Sequence, residues 1–182
     1  NDNQKRVPSS LRWDLVRLVR DEEDKFGVRA SDLVYELSTS RQSPLFQRID
    51  LTGEVKELEI KQGSIAPEVV SIIKKPPLRD VGFDIQSQVF IAFLIALRDC
   101  DPDGWNSATS NFYKNRVLRA LLRTIPEILQ KSHVELTEID PKVFYKYLLK
   151  IKPKTLDPEI IRGQQGSAGM AAIYKTIRNQ VF

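Results

Sequence analysis

One stretch limits what this chain can become: VFIAFLIAL, Val89 to Leu97, nine consecutive apolar residues. A helix that is apolar nearly all round belongs inside a protein, so this run reads as a central helix that starts near Asp84 and is enclosed by others. It falls well short of the roughly 18 to 20 residues that cross a bilayer, so no membrane partner is expected. With 182 residues, 41% of them hydrophobic, the chain can wrap such a helix in one compact unit.

The pattern on either side is mostly helical. Ser9 or Ser10 can cap LRWDLVRLVR, which gathers Leu11, Leu15, Leu18 and Val19 on one face and sets Arg12, Arg17 and Arg20 away from it. DEEDKFG then stops it at Gly27, and a second helix opens at Ala30 or Ser31 with Leu33, Val34 and Leu37 inward. The period changes in LFQRIDL and VKELEIK, where apolar and charged residues alternate around Thr52-Gly53-Glu54; this predicts one small β-hairpin near residues 45–61. Gly63-Ser64 ends the hairpin, and a short helix follows with Pro67 at an early position.

Pro76-Pro77 breaks the chain and is the natural internal boundary. It divides residues 1–76, helices plus hairpin, from a helical part over 77–182. In that second part Val117, Leu118, Leu121 and Leu122 point inward from a helix that begins near Ser110, and Pro126 kinks it or starts another. Asp140-Pro141 and Asp157-Pro158 each pair a capping carboxylate with proline at the first helical position. A last helix should run from about Ala168 to Asn179. The fold class is therefore mainly α, a helical, bundle-like domain with one small β element.

Charge is unevenly placed. Residues 1–110 carry 15 Lys or Arg against 18 Asp or Glu, whereas residues 111–182 carry 13 against 6, a net of +7. That excess admits contact with phosphates, or is simply a solvated surface. Arg116, Arg119 and Arg123 share one helical face opposite the leucines and could hold a phosphate backbone; the alternative is a solvated face paired with acidic neighbours. Lys146, Lys150, Lys152 and Lys154 interleave with Tyr145 and Tyr147, a pattern open to base stacking or to core packing of Phe144, Tyr147 and Leu148. Arg162, Lys175 and Arg178 complete the candidate nucleic-acid-binding set.

Enzyme chemistry is poorly supplied. His133 stands alone in KSHVEL, as a turn histidine would, and no metal-ligand spacing surrounds it. Cys100 lies between Asp99 and Asp101, which disfavour a thiolate, so a structural cysteine is expected rather than a nucleophile. A single cysteine also excludes an internal disulfide and suits a reducing cytoplasm. DCDPD, 99 to 103, lacks the glycine and distal glutamate of a calcium loop and reads as turn chemistry. No cofactor is implied.

RGQQGSAG, Arg162 to Gly169, offers neither the lysine nor the spacing of a Walker loop. What it can supply is a helix cap at Ser167, or an anion site built from Gly166, Ser167 and Gly169 beside Arg162.

Three segments carry a family resemblance: SDLVYELSTSRQSPLFQRIDLTGEVKELEIKQGSIAPEVV, NFYKNRVLRALLRTIPEIL and GSAGMAAIYKTI. They resemble the region downstream of the signature in DGQHR-domain proteins, the group that includes the DndB component of bacterial DNA phosphorothioation systems. The resemblance implies a setting in DNA modification or phage defence and an upstream domain of the same protein. It carries over no catalytic residue, because no Asp-Gly-Gln-His-Arg string occurs here. The N-terminus NDNQKRVP, without an initiating Met, fits a piece of something longer. The expectation is thus a non-catalytic, DNA-associated accessory domain; the alternative is a protein-interaction module without nucleic-acid contact.

Overall fold

The computed structural model describes residues 7–20, 23–55, 58, 60–107, 115–152, 156 and 166–182. Its centre is the helix that the apolar run demands. Helix α4, Phe83–Cys100, buries Val89, Phe90, Phe93, Leu94 and Leu97 completely. Around it pack α2 (Lys25–Thr39) and α8 (Pro141–Leu148), while α3 (Gln62–Ile73) joins α2 to α6 (Asn115–Leu122). The remaining helices among the described residues are α1 (Ser9–Val19), the short α5 (Pro102–Trp105), α7 (Ile125–Ser132) and α9 (Gly166–Val181), which lies on α6. One continuous core runs across the Pro76-Pro77 break, so residues before and after it share the same apolar interior. No helix among the described residues is long and apolar enough to cross a membrane.

Several local signals act as expected. Asp140 accepts from the Lys142 amide at 2.7 Å and Pro141 opens α8. Pro126 sits in the first turn of α7, and Val117, Leu118, Leu121 and Leu122 all face inward. Asp101 caps α5 by accepting from Gly104 N at 3.1 Å, which gives the DCDPD carboxylates a helix-terminus role. Among the described residues no group of three or more His, Cys, Asp and Glu could hold a metal. The Asp157-Pro158 start lies outside the described residues.

Helix α2 starts earlier than its apolar periodicity announces. Asp24 is its N-cap and accepts from Gly27 N at 2.9 Å, so Gly27 belongs to the first turn instead of ending the preceding helix. A Cβ at Gly27 would meet Asp24 Oδ2 at 2.0 Å, so the cap needs glycine there. Helix α3 likewise begins at Gln62 and absorbs Gly63-Ser64, leaving Pro67 inside the helix on its exposed side.

The β element differs in its pairing. Strands β1 (Ile49–Asp50) and β2 (Ile60–Lys61) run parallel, with Ile49 opposite Ile60, so Thr52-Gly53 is not a hairpin turn. Directly after β1 the chain bends at Asp50, whose Oδ1 takes the amides of Thr52 at 3.1 Å and Gly53 at 2.7 Å. Gly53 adopts φ +86, the left-handed region that glycine enters at no steric cost, and the chain turns towards Pro8 and Ser10 of the α1 start. Alternation located the strands but not their direction.

Helix α1 is inverted with respect to its apolar face. Leu15, Leu18 and Val19 are 46%, 62% and 74% exposed, whereas Ser10 is buried and Trp13 packs on the core. Ser10 does not cap α1; Pro8 stands at the cap position, and Ser10 Oγ accepts from Gly63 N at 3.2 Å. Ser31 Oγ donates to Trp13 O at 2.6 Å, and Arg17 folds back with its guanidinium 4.1 Å from the Tyr35 ring centroid. Small and hydrogen-bonding side chains let α1 lie close to α2 and α3, and that close approach outweighs burial of its leucines.

Candidate nucleic-acid interface

The arginine row of α6 divides. Arg119 and Arg123 both turn onto Glu68 of α3, whose side chain is only 5% exposed. Arg119 Nη2 reaches Glu68 Oε1 at 2.7 Å, while Arg123 donates to Oε2 from Nε and to Oε1 from Nη2, each at 2.7 Å. Burial pushes the Glu68 carboxyl up, but hydrogen bonds and charge from Arg123 and Arg119 outweigh it and hold the group below the ordinary carboxylate range. These two arginines are therefore paired with an acidic neighbour that no local pattern in the sequence identifies. Arg116, one turn earlier, is exposed.

A second cluster forms where α7, α8 and α9 meet. Tyr147 of α8 and Phe182, just beyond α9, lie with ring centroids 6.0 Å apart. Four cations surround them. Lys131 Nζ is 4.4 Å and the Arg178 guanidinium 5.8 Å from the Phe182 centroid; Lys146 and Lys150 Nζ are 5.3 Å and 5.1 Å from that of Tyr147. Lys150 Nζ also donates to Val181 O at 3.1 Å, and Lys152 N donates to Gln180 Oε1 at 2.6 Å, which ties the end of α8 to α9.

Among the described residues only Glu127 opposes these charges directly. It accepts two bonds of 2.8 Å from Arg178 and stands 3.6 Å from Lys131. Tyr174 lies beside both Arg123 and Arg178 and so links the two clusters. Together they set six cations against two carboxylates. Cations over aromatic faces, with their heads reaching solvent, form a surface that can accept phosphate while offering rings for stacking.

Lys150, Lys152 and Arg178 of the sequence-derived set are thus gathered at one end of the molecule. Lys175 is exposed one turn before Arg178. Lys154 and Arg162 lie outside the described residues. Phe144 and Leu148 are buried, so the core reading holds for that side of α8, while Tyr147 serves the rim. Lys131 and Phe182 carry no advance signal beyond the Glu127–Lys131 spacing, because their partners are brought in by packing.

Helix α9 begins at Gly166, so Ser167 is its second residue instead of its cap, and Gly169 is buried inside the helix. His133 is the left-handed residue that ends α7, an exposed turn position.

Cys100 is half-buried at the end of α4, and burial, then Asp99 and Asp101, push its thiol up to about 11. Its alkylation by iodoacetamide at pH 8 should run at least about a hundredfold slower than that of a free cysteine, as read by mass spectrometry on the native chain. Reaction at the free-thiol rate would contradict this environment.

Comparison of the chain with protein-family models, with curated proteins and with solved structures found no match.

Proposed function

We propose that the chain is a helical DNA-associated accessory domain of a bacterial, cytoplasmic DGQHR-type protein, non-catalytic by itself, working beside an upstream domain in DNA modification or phage defence. The observation that carries the DNA contact is the gathering of Lys131, Lys146, Lys150 and Arg178 around Tyr147 and Phe182, with Glu127 as their one close carboxylate among the described residues. Such a face grips a phosphate backbone through charge, releases counterions and reads no base sequence. The DGQHR part rests on the sequence resemblance, and a DGQHR string encoded upstream of Asn1 is its direct check; a coding sequence without one removes it.

The contact is tested by retention of duplex DNA, plain and phosphorothioated, across a salt series. Each phosphate contact contributes about 0.9 to the slope of log affinity against log salt. Lys146→Ala/Lys150→Ala/Arg178→Ala should therefore flatten the slope by about 2 to 3 and weaken binding at least tenfold at low salt. A slope unchanged in the triple variant would rule out this face.

A protein-interaction module is the second reading, favoured by the exposure of Leu15, Leu18 and Val19 on α1. No DNA retention even at low salt would favour it.

A further inference from the structure

A separate site stands on α1, α2 and the start of α4, and its chemistry is of another kind. A cleft of about 430 Å³ is lined by Arg20 at the end of α1, by Arg29, Asp32, Tyr35 and Glu36 of α2, and by Phe83 at the start of α4. That volume lies within the range of small-molecule sites. Two cations and two carboxylates share it, so it is neither an anion trap nor a cation trap.

Its polar groups are held but not consumed. Arg29 Nη1 donates to Gln86 Oε1 at 3.3 Å, its one hydrogen bond among the described residues, and its guanidinium lies 6.0 Å from the Phe83 ring centroid. Gln86 is only 2% exposed and is itself fixed by donating to Leu78 O at 2.8 Å. An arginine oriented by a buried amide, with most of its fork open, is prepared to receive a carboxylate. The Glu36 carboxylate has no hydrogen bond or ion pair among the described residues, and Asp32 meets only Arg20, at 3.4 Å. Tyr35 supplies a ring whose position is set by the Arg17 guanidinium.

The order along the helix gives the polarity. Arg29, Asp32 and Glu36 are spaced i, i+3 and i+7, so they share one face of α2 with the positive group first and the negative groups one and two turns later. A ligand lying along that face meets a carboxylate receptor at one end, an ammonium receptor at the other, and aromatic surface from Phe83 and Tyr35.

We propose that this cleft binds a small zwitterion with an apolar body, of the amino-acid class: its carboxylate on the Arg29 fork, its ammonium between Asp32 and Glu36, and its side chain against the rings. The site is independent of the basic face on α7 to α9, so either can fail without the other.

The probe is L-phenylalanine, compared with 3-phenylpropionate, which lacks the ammonium, and phenethylamine, which lacks the carboxylate. Saturation-transfer NMR and calorimetry on the whole chain should show saturable L-phenylalanine binding, with each analogue at least about fivefold weaker, the loss of one charge-assisted contact. Arg29→Gln should weaken L-phenylalanine and 3-phenylpropionate but leave phenethylamine unchanged; Glu36→Gln should do the reverse. The Glu36 carboxylate makes no hydrogen bond or ion pair among the described residues and Glu36→Gln conserves its volume, so that variant remains informative if Arg29→Gln lowers the melting temperature. Absence of saturable L-phenylalanine binding at millimolar concentration overturns the proposal. So does equal affinity for all three probes, or affinity that neither substitution changes.

Discussion

Arg119→Ala/Arg123→Ala is expected to destabilise the protein by about 3 to 5 kcal/mol at pH 7, the scale of a buried charge stripped of its partners. Glu68 is 5% exposed, and among the described residues all its side-chain hydrogen bonds come from these two arginines. Without them a carboxylate remains in the interface of α3 and α6 without its two counter-charges. Each single variant should cost less, about 1.5 to 3 kcal/mol, because one arginine still holds the carboxylate. A triple variant with Glu68→Leu added should recover the part of the loss that comes from charge, since leucine is close to glutamate in volume and leaves no carboxylate stranded. Recovery separates a charge penalty from lost packing of the arginine stems.

The same site fixes a pH dependence. The folded Glu68 carboxyl titrates below its ordinary value of 4.5, so its contribution is fully present above that value and is lost as pH falls through the lower, folded pKa. In the double variant only burial acts on Glu68, which raises its pKa and turns the contribution unfavourable at neutral pH. The stability gap between wild type and variant should therefore narrow from pH 7 to pH 4. Denaturant unfolding at both values measures it. A gap below about 1 kcal/mol at pH 7, or one that widens in acid, would contradict a charge held by these arginines.

Phe93→Ala is expected to cost a further large amount, about 3 to 5 kcal/mol. Phe93 is fully buried at the middle of α4 and meets Phe144 of α8 edge to face, with centroids 5.3 Å apart and planes at 79°. Truncation removes the ring, its aromatic partner contact and the packing of the two helices at once. For a chain of this size each kcal/mol lowers the melting temperature by roughly 2 to 4 °C, so a fall of about 10 to 15 °C should appear in a thermal scan. Phe93→Leu should lose much less, because most of the volume remains. Helix α8 also carries Lys146 and Tyr147, with Lys150 in the turn just beyond it, so loosening its seat should weaken DNA retention without touching any surface residue. A melting temperature within about 3 °C of wild type would show that α4 and α8 do not depend on this pair.

Fold class was legible because its signals are local. An unbroken apolar run has no stable position but the interior, and α4 occupies it. The Asp140-Pro141 start of α8 and the inward leucines of α6 likewise follow from capping chemistry and a 3.6-residue period, which operate within a few residues. The environment of Cys100 was legible for the same reason: two of the three groups that set it, Asp99 and Asp101, are its chain neighbours.

What the tertiary structure alone decided depends on residues far apart in sequence. Leu15, Leu18 and Val19 mark an apolar face of α1, but which face turns inward was settled by Ser10, Trp13 and Ser31, whose hydrogen bonds and close approach dock the helix with that face outward. Alternation placed β1 and β2, but they run parallel, with the chain bending at Asp50 and Gly53 directly after β1. The arginine row was visible on α6, but Glu68, 51 residues before Arg119, determines that two of its members are spent inside the fold. Charge and periodicity are properties of neighbouring residues and can be read along the chain; which charges are neutralised, and which remain at the surface, is a property of packing.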